Sequence, residues 1–142
     1  MRTQKGKRVS WIKVTEADVQ QAVVLMLQLD GWRAIRTDPV SDRARGKGFG
    51  EIGMPDYLFI RYRLAEQLRG CGLPLPFPFG EGEAAEVLWI EFKAPGKKPT
   101  PHQQRWHNAE IALGALVNWF DSVDYFRKWY KASGLMRNKI LS

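Results

Sequence analysis

The pattern of hydrophobic and polar positions predicts a first helix from about Thr15 to Asp30. One face carries apolar side chains at intervals of three and four residues, namely Val19, Val23, Met26 and Leu27. Thr15 offers a hydroxyl that can cap the helix, and acidic residues follow it in the first turn, where the helix dipole favours negative charge. Gly31 marks the end of this helix.

Four further segments have the pattern of strands. They cover Trp32 to Thr37, Met54 to Tyr62, Glu86 to Lys93 and Ala115 to Phe120. The second contains a nearly continuous apolar run, which is expected of a strand that is covered on both faces.

Two more helices are predicted in the second half of the chain. Thr100 caps a helix that has Pro101 at its first position and runs to about Leu113. Asp121 or Ser122 caps the last helix, which runs to about Ala132.

The order of these elements predicts an α/β fold, in which a mixed sheet of about four strands has helices on both faces. We expect one domain over residues 1–142, with a basic arm at 1–13, a Pro/Gly-rich irregular insertion at 70–82 and a basic tail at 133–142. The polar segment 38–53 is expected to be a basic loop, and 61–69 a short helix.

The composition indicates a polyanionic partner. The chain has 22 Lys and Arg residues and 15 Asp and Glu residues, which gives a net charge of +7. The isoelectric point is near 9.8. Such a charge suits nucleic acid, although charge alone is a weak signal because many basic proteins never contact DNA.

Cysteine usage and hydropathy predict a soluble cytoplasmic protein with no membrane partner. Cys71 is the only cysteine, so neither an intramolecular disulfide nor a zinc site built on thiolates can form. The longest apolar stretch, residues 22–27, is far shorter than the roughly 20 residues that span a bilayer.

The candidate chemistry lies in Gly53-Met54-Pro55-Asp56 and Glu91-Phe92-Lys93. Residues two apart on a strand point to the same face, so Glu91 and Lys93 project together. If Asp56 opens the adjacent strand, its carboxylate meets Glu91 across the sheet. The alternative is a salt-bridge cluster at strand ends with no chemical role.

Two carboxylates at that distance repel each other, and a divalent cation relieves the repulsion. A site of oxygen ligands suits Mg²⁺ or Mn²⁺, which bind one or two carboxylates and take further ligands from water and substrate phosphate. Lys93 can then orient the attacking water or stabilise charge that develops on the phosphate.

The segment Glu91 to Trp106, EFKAPGKKPTPHQQRW, resembles the VRR-NUC family of the PD-(D/E)XK nuclease superfamily, together with Gly53 to Asp56 and the helix start TEADVQ. The resemblance covers about Thr15 to Trp119. It implies a restriction-endonuclease-like fold and a Mg²⁺- or Mn²⁺-dependent DNA endonuclease, with branched DNA such as a junction or flap as a candidate substrate. A homodimer follows from the resemblance to junction resolvases.

The resemblance also implies residue roles. Asp56 and Glu91 match the family's metal-binding acids, Lys93 its catalytic lysine and Glu16 the acid on the first helix, which would hold a metal-bound water or a second ion. Gln20 fits the glutamine one turn later, and Gln103 matches the glutamine that touches the active site or the substrate backbone. The long gap between Asp56 and Glu91 departs from the simplest family pattern.

Further residues are candidates for phosphate contact, and each has a simpler interpretation. They are Arg36, Arg43, Arg45, Lys47, Lys97 and Lys98, which could equally be solvated. His102 and His107 are interpreted as structural or exposed, and Trp89, Trp106, Trp119 and Trp129 as core residues. Two rival functions stay open, a DNA-binding module that does not cleave and a hydrolase of small phosphoesters.

Overall fold

A computed structural model describes residues 12–37, 51–62 and 85–141 of the chain. Three of the expected phosphate contacts, Arg43, Arg45 and Lys47, lie outside the described residues. So do the insertion at 70–82, most of the N-terminal arm and nearly all of the short helix expected at 61–69.

The described strands form one mixed sheet in the order β1-β2-β3-β4. The strands are β1 (Arg33–Arg36), β2 (Tyr57–Arg61), β3 (Glu86–Phe92) and β4 (Leu116–Phe120). β1 pairs antiparallel with β2, and β2 pairs antiparallel with β3. β3 and β4 are parallel, and the helix that connects them crosses one face of the sheet.

Three α-helices are described, and each begins at a side-chain cap. The helices are α1 (Glu16–Leu29), α2 (Pro101–Ala112) and α3 (Val123–Ser133). Thr15 and Thr100 each form a capping box, with Asp18 and Gln103 as the respective partners, while Ser122 accepts from the backbone N–H of Tyr125. Lys139–Leu141 forms a short 3₁₀ helix after α3.

The main hydrophobic core lies between the sheet and the α1–α3 pair. Both helices contribute apolar side chains from one face, and β3 contributes its alternate residues Leu88, Ile90 and Phe92. The helical members are Val19, Val23, Leu27, Phe126 and Tyr130, which are at most 1% exposed. Burial of this kind stabilises the fold by roughly 25 cal/mol for each Å² of apolar surface removed from water.

The opposite face of the sheet carries α2. Trp106 of α2 packs edge-to-face on Trp89 of β3, with ring centroids 5.1 Å apart. Since Trp89 and Glu91 lie two apart on β3, α2 covers the face that carries Glu91.

A buried polar network joins the end of α1 to the segment after α3. The Asp30 carboxylate accepts hydrogen bonds from the Tyr130 hydroxyl, from Arg61 and from the backbone N–H groups of Arg137 and Asn138. Arg61 also donates to Glu86 and lies over the Trp32 ring. The network therefore ties β2, β3, α1, α3 and the C-terminal segment together.

The observed fold confirms the predicted class: an α/β arrangement with a four-stranded mixed sheet and helices on both faces. One boundary differs, because β2 begins at Tyr57 and not at Met54. The positive φ of Gly53, +89°, and the ring of Pro55 keep residues 53–55 out of the ladder. In the part of the chain that the structure describes, no helix has the length and apolar character needed to cross a membrane.

Candidate functional site

Asp56 and Glu91 come together on the α2 side of the sheet. Tyr57 pairs with Ile90, so Asp56, one residue earlier, lies level with Glu91 on the neighbouring strand. The Oδ2 atom of Asp56 accepts a hydrogen bond of 2.8 Å from the backbone N–H of Phe92, which extends the pairing past the last strand residue. The main chain of β3 thus holds the Asp56 carboxylate beside Glu91.

The two carboxylate oxygens of Glu91 differ sharply in their surroundings. Oε1 lies 2.5 Å from Nζ of Lys93 and accepts a hydrogen bond of 2.5 Å from Nε2 of Gln103. Oε2 is buried and has no hydrogen-bond partner among the described residues. The described residues therefore hold this carboxylate through one of its two oxygens.

Burial and neighbouring charges raise the pKa of Glu91 to about 7. Loss of solvent is the largest cause, and the charges of Asp56 and Glu16 act in the same direction. Lys93 opposes them through its hydrogen bond and its positive charge. A nearby cation would stabilise the ionised form of the Glu91 carboxylate, which burial and the other acids disfavour.

Gln103 joins the start of α2 to this carboxylate. Its Oε1 accepts from the backbone N–H of Thr100, at 2.8 Å, as half of the capping box. Its Nε2 donates to Glu91 at the same time. The Gln103 side chain thus both caps α2 and contacts Glu91. The capping contact orients its Nε2 towards Glu91.

The loop before Asp56 is seated on the first turns of α2. A Cβ atom at Gly53 would collide with the backbone carbonyl of His102, so only glycine allows this close approach. Four residues beyond His102, Nε1 of Trp106 donates a hydrogen bond of 2.7 Å to Glu51. These contacts position the chain that leads into Asp56 against the helix that carries Gln103.

Glu16 lies at the first position of α1 and is exposed, with its charge acting on Glu91. Among residues 12–37, 51–62 and 85–141, no group of three or more His, Cys, Asp or Glu side chains lies close enough to hold a metal ion. Glu16 is therefore not gathered with Asp56 and Glu91 into a cage of three carboxylates. Gln20, one turn later, donates to the Tyr57 hydroxyl at 3.2 Å.

The described basic candidates lie around this site and not within it. Lys97 and Lys98 are exposed in the turn between β3 and α2. Arg36 is exposed at the end of β1, and the next residue, Thr37, donates its backbone N–H to the carbonyl of Asp56. All three thus belong to the end of the sheet that carries the two acids.

The two histidines differ in their surroundings. His102 is exposed, whereas His107 is only 2% exposed and lies one turn beyond Gln103 on the same face of α2. Sequence reasoning gave His107 a structural interpretation and did not include it among the site residues. Its four-residue spacing from Gln103 is the signal that would have placed the two on one face of α2.

The residues present fit a small divalent cation. The unpartnered Oε2 of Glu91 and the carboxylate of Asp56 are hard oxygen donors, and neither a thiolate nor an imidazole is gathered with them in the described residues. Mg²⁺ and Mn²⁺ accept one or two protein carboxylates and complete their shell with water and phosphate, so a third protein acid is not required.

Comparison with known proteins gives one short likeness to a phage protein. A stretch of 39 residues is 49% identical to "Putative nuclease p44" of Acyrthosiphon pisum secondary endosymbiont phage 1. That stretch covers 28% of this chain and 42% of the phage protein, so the chain matches less than half of its relative. No family model matches the chain, and no solved structure matches it.

Proposed function

We propose that this protein is a metal-dependent DNA endonuclease whose centre is formed by Asp56, Glu91 and Lys93. The observation that carries the proposal is the divided environment of Glu91. Its Oε1 is fixed by Lys93 and Gln103, while its buried Oε2 has no protein partner among the described residues. A purely structural salt bridge would not require a buried carboxylate oxygen to go without a hydrogen bond.

Asp56 and Glu91 would hold a Mg²⁺ or Mn²⁺ ion, with Glu16 acting through an intervening water. The bound cation would supply Lewis-acid stabilisation to a phosphate oxygen. Asp56 is already oriented for this role, because the Phe92 N–H fixes one of its oxygens. Because the pKa of Glu91 is raised to about 7, its ionisation would be coupled to the binding of the cation.

Lys93 would act on the substrate while it remains beside Glu91. Its side chain is 15% exposed, whereas the side chain of its partner Glu91 is 1% exposed. A compact positive charge in this position can orient the attacking water or stabilise negative charge on the phosphate in the transition state.

DNA as the substrate rests on charge and on likeness. The chain carries a net charge of +7, and Arg36, Lys97 and Lys98 lie at the end of the sheet that holds the acids. The match to a phage protein named a nuclease and the resemblance of Glu91 to Trp106 to the VRR-NUC family support the same class of reaction. From that resemblance we further propose a preference for branched DNA and a homodimeric enzyme.

The test is cleavage of supercoiled plasmid and of junction and flap oligonucleotides by the purified protein with Mg²⁺ or Mn²⁺. We expect cutting that is lost in Asp56→Ala, Glu91→Ala and Lys93→Ala. Lys131→Ala is the matched control, since it removes an equal charge from an exposed position in the last turn of α3. It should cut like the unaltered protein.

The same assay separates the rival functions. DNA binding without any cutting would replace the proposal with a DNA-binding module. Hydrolysis of a small phosphodiester that is insensitive to salt would indicate a small-molecule hydrolase, because an enzyme that contacts several DNA phosphates weakens steeply as salt rises.

A further inference from the structure

His107 is a buried imidazole that the proposed chemistry does not use. It is 2% exposed, and its Nε2 atom has no hydrogen-bond partner among the described residues. Leaving a buried polar atom unpaired costs on the order of 1–3 kcal/mol. This makes His107 and Glu91 the two described residues with an unpartnered buried side-chain atom, and both lie on the α2 side of the sheet.

His107 lies on the face of α2 that is turned towards Glu91 and its partner Lys93. Burial lowers the pKa of the imidazole from its ordinary value, and the positive charge of Lys93 lowers that pKa further. Both effects favour the neutral ring, which can offer a lone pair. One turn earlier on the same helix face, Gln103 already contacts the Glu91 carboxylate that binds Lys93.

A second acceptor from the protein would keep the Lys93 ammonium in place once the proposed site is filled. Its described acceptor is Oε1 of Glu91, at 2.5 Å. A divalent cation on the same carboxylate would draw its negative charge away and would repel the ammonium at short range. If the second acceptor were another carboxylate, its negative charge would attract a further cation. A neutral imidazole nitrogen accepts the hydrogen bond from Lys93 without adding negative charge.

We propose that His107 is a positioning residue for Lys93: its Nε2 accepts a hydrogen bond from Nζ of Lys93 when a divalent cation occupies Glu91. The ammonium is then kept at the site while its bond to Glu91 weakens. This inference rests on the proposed function, because it needs a cation at Glu91.

The first test is NMR spectroscopy of the imidazole nitrogens of His107 in the intact protein during titration with MgCl₂. We expect an unprotonated Nε2 whose ¹⁵N resonance shifts when Mg²⁺ is added. In Lys93→Met, which keeps the chain length but has no ammonium, Mg²⁺ should shift the side-chain carboxyl resonance of Glu91 and leave Nε2 of His107 unchanged.

The outcomes of this titration are distinguishable. A shift at Glu91 with no shift at His107 in the unaltered protein would overturn the inference and leave the cation site standing. An Nε2 that carries a proton would also overturn it. No Mg²⁺ shift at Glu91 at all would remove the cation site, and the inference with it.

The second test compares His107→Leu with His107→Gln in steady-state cleavage. Leucine fills the space without an acceptor, while the glutamine side chain can supply one. We expect His107→Leu to lower kcat about 10- to 100-fold with little change in KM, and His107→Gln to recover most of that loss. Equal activity of the two variants, with thermal unfolding showing both to be folded, would contradict a positioning role.

Discussion

Gln103 and Glu91 are joined by a hydrogen bond of 2.5 Å between the amide Nε2 of the first and the carboxylate Oε1 of the second. The same glutamine closes the capping box of α2 through its other amide atom. The beginning of one helix and the orientation of a candidate catalytic acid thus depend on a single side chain.

This double role predicts that two variants with similar losses of stability differ in activity. Thr100→Ala removes the capping hydroxyl and should cost about 1 kcal/mol of unfolding free energy, with cleavage largely kept. Gln103→Ala removes half of the cap as well as the bond to Glu91, so cleavage should fall at least tenfold. Urea denaturation and cleavage rates check the pair. Equal activity of the two variants would show that the Gln103–Glu91 contact is incidental.

The raised pKa of Glu91 predicts an opposite effect of pH on folding and on cation binding. Its folded pKa, about 7, lies above the ordinary value of 4.5, so the folded protein holds a proton that the unfolded chain has lost in this interval. The contribution of Glu91 to stability therefore falls as pH rises from about 4.5 to 7 and is constant above that. Mg²⁺ affinity should rise over the same window, because the cation needs the ionised carboxylate.

Glu91→Gln isolates this contribution. The variant cannot ionise at residue 91. Without metal, its melting temperature should therefore rise relative to that of the unaltered protein as the pH increases from 5 to 8. Calorimetric melts at several pH values measure that difference. A difference that is constant with pH would mean that Glu91 titrates normally.

The close approach of Gly53 to the backbone of His102 predicts that two glycine substitutions with similar backbone strain differ in their effect on cleavage. Gly53 and Gly96 have φ values of +89° and +80°, so alanine at either costs about 1–2 kcal/mol of backbone strain. Only at Gly53 would the new Cβ collide with the carbonyl of His102, whereas nothing lies within 4 Å of a Cβ at Gly96.

Gly53→Ala should therefore displace the loop that leads into Asp56 and should lower the rate of cleavage strongly. Gly96→Ala should remain active. Mg²⁺ affinity, measured by isothermal titration calorimetry, should weaken in Gly53→Ala alone. Parallel loss of activity in both variants would point to backbone strain as the common cause and not to the seating of the loop.

The Asp30 network predicts a large loss of stability in a variant at the opposite end of β2 from the proposed catalytic residues. Asp30 and Arg61 form an ion pair of 3.1 Å whose side chains are 0% and 3% exposed. Asp30→Ala leaves the guanidinium without this partner and should cost roughly 3–5 kcal/mol. Tyr130→Phe, which removes one donor to Asp30, should cost about 1–2 kcal/mol.

Guanidinium chloride denaturation followed by tryptophan fluorescence measures both changes. A loss below about 1 kcal/mol in Asp30→Ala would mean that the network contributes no net stability, as some buried ion pairs do not.

The sequence predicted the secondary structure well where a local pattern determines it. The apolar spacing of Val19, Val23 and Leu27 and the caps at Thr15 and Thr100 are local signals, and the structure has these helices with nearly the expected bounds. The predicted start of β2, Met54, was wrong because the turn before Tyr57 contains apolar residues that continue the pattern of the strand. Local pattern alone does not tell a paired residue from an unpaired one.

Contacts between distant elements could not be predicted in the same way. That Glu91 and Lys93 share a face follows from strand alternation, yet the contrast between the two oxygens of Glu91 depends on how α2 is packed. The partners of Asp30 lie up to 108 residues away and share no motif with it. The sequence shows which groups are available, and packing decides which of them meet.

The distance along the chain between Asp30 and its backbone donors has a kinetic consequence. The carboxylate is made early during synthesis, but the N–H groups of Arg137 and Asn138 follow 107 and 108 residues later. Closing a loop of this length carries an entropic cost, so we expect these bonds to form late in folding. Until they form, the Asp30 carboxylate lacks two of its backbone donors, and the junction between the end of α1 and the segment after α3 is incomplete.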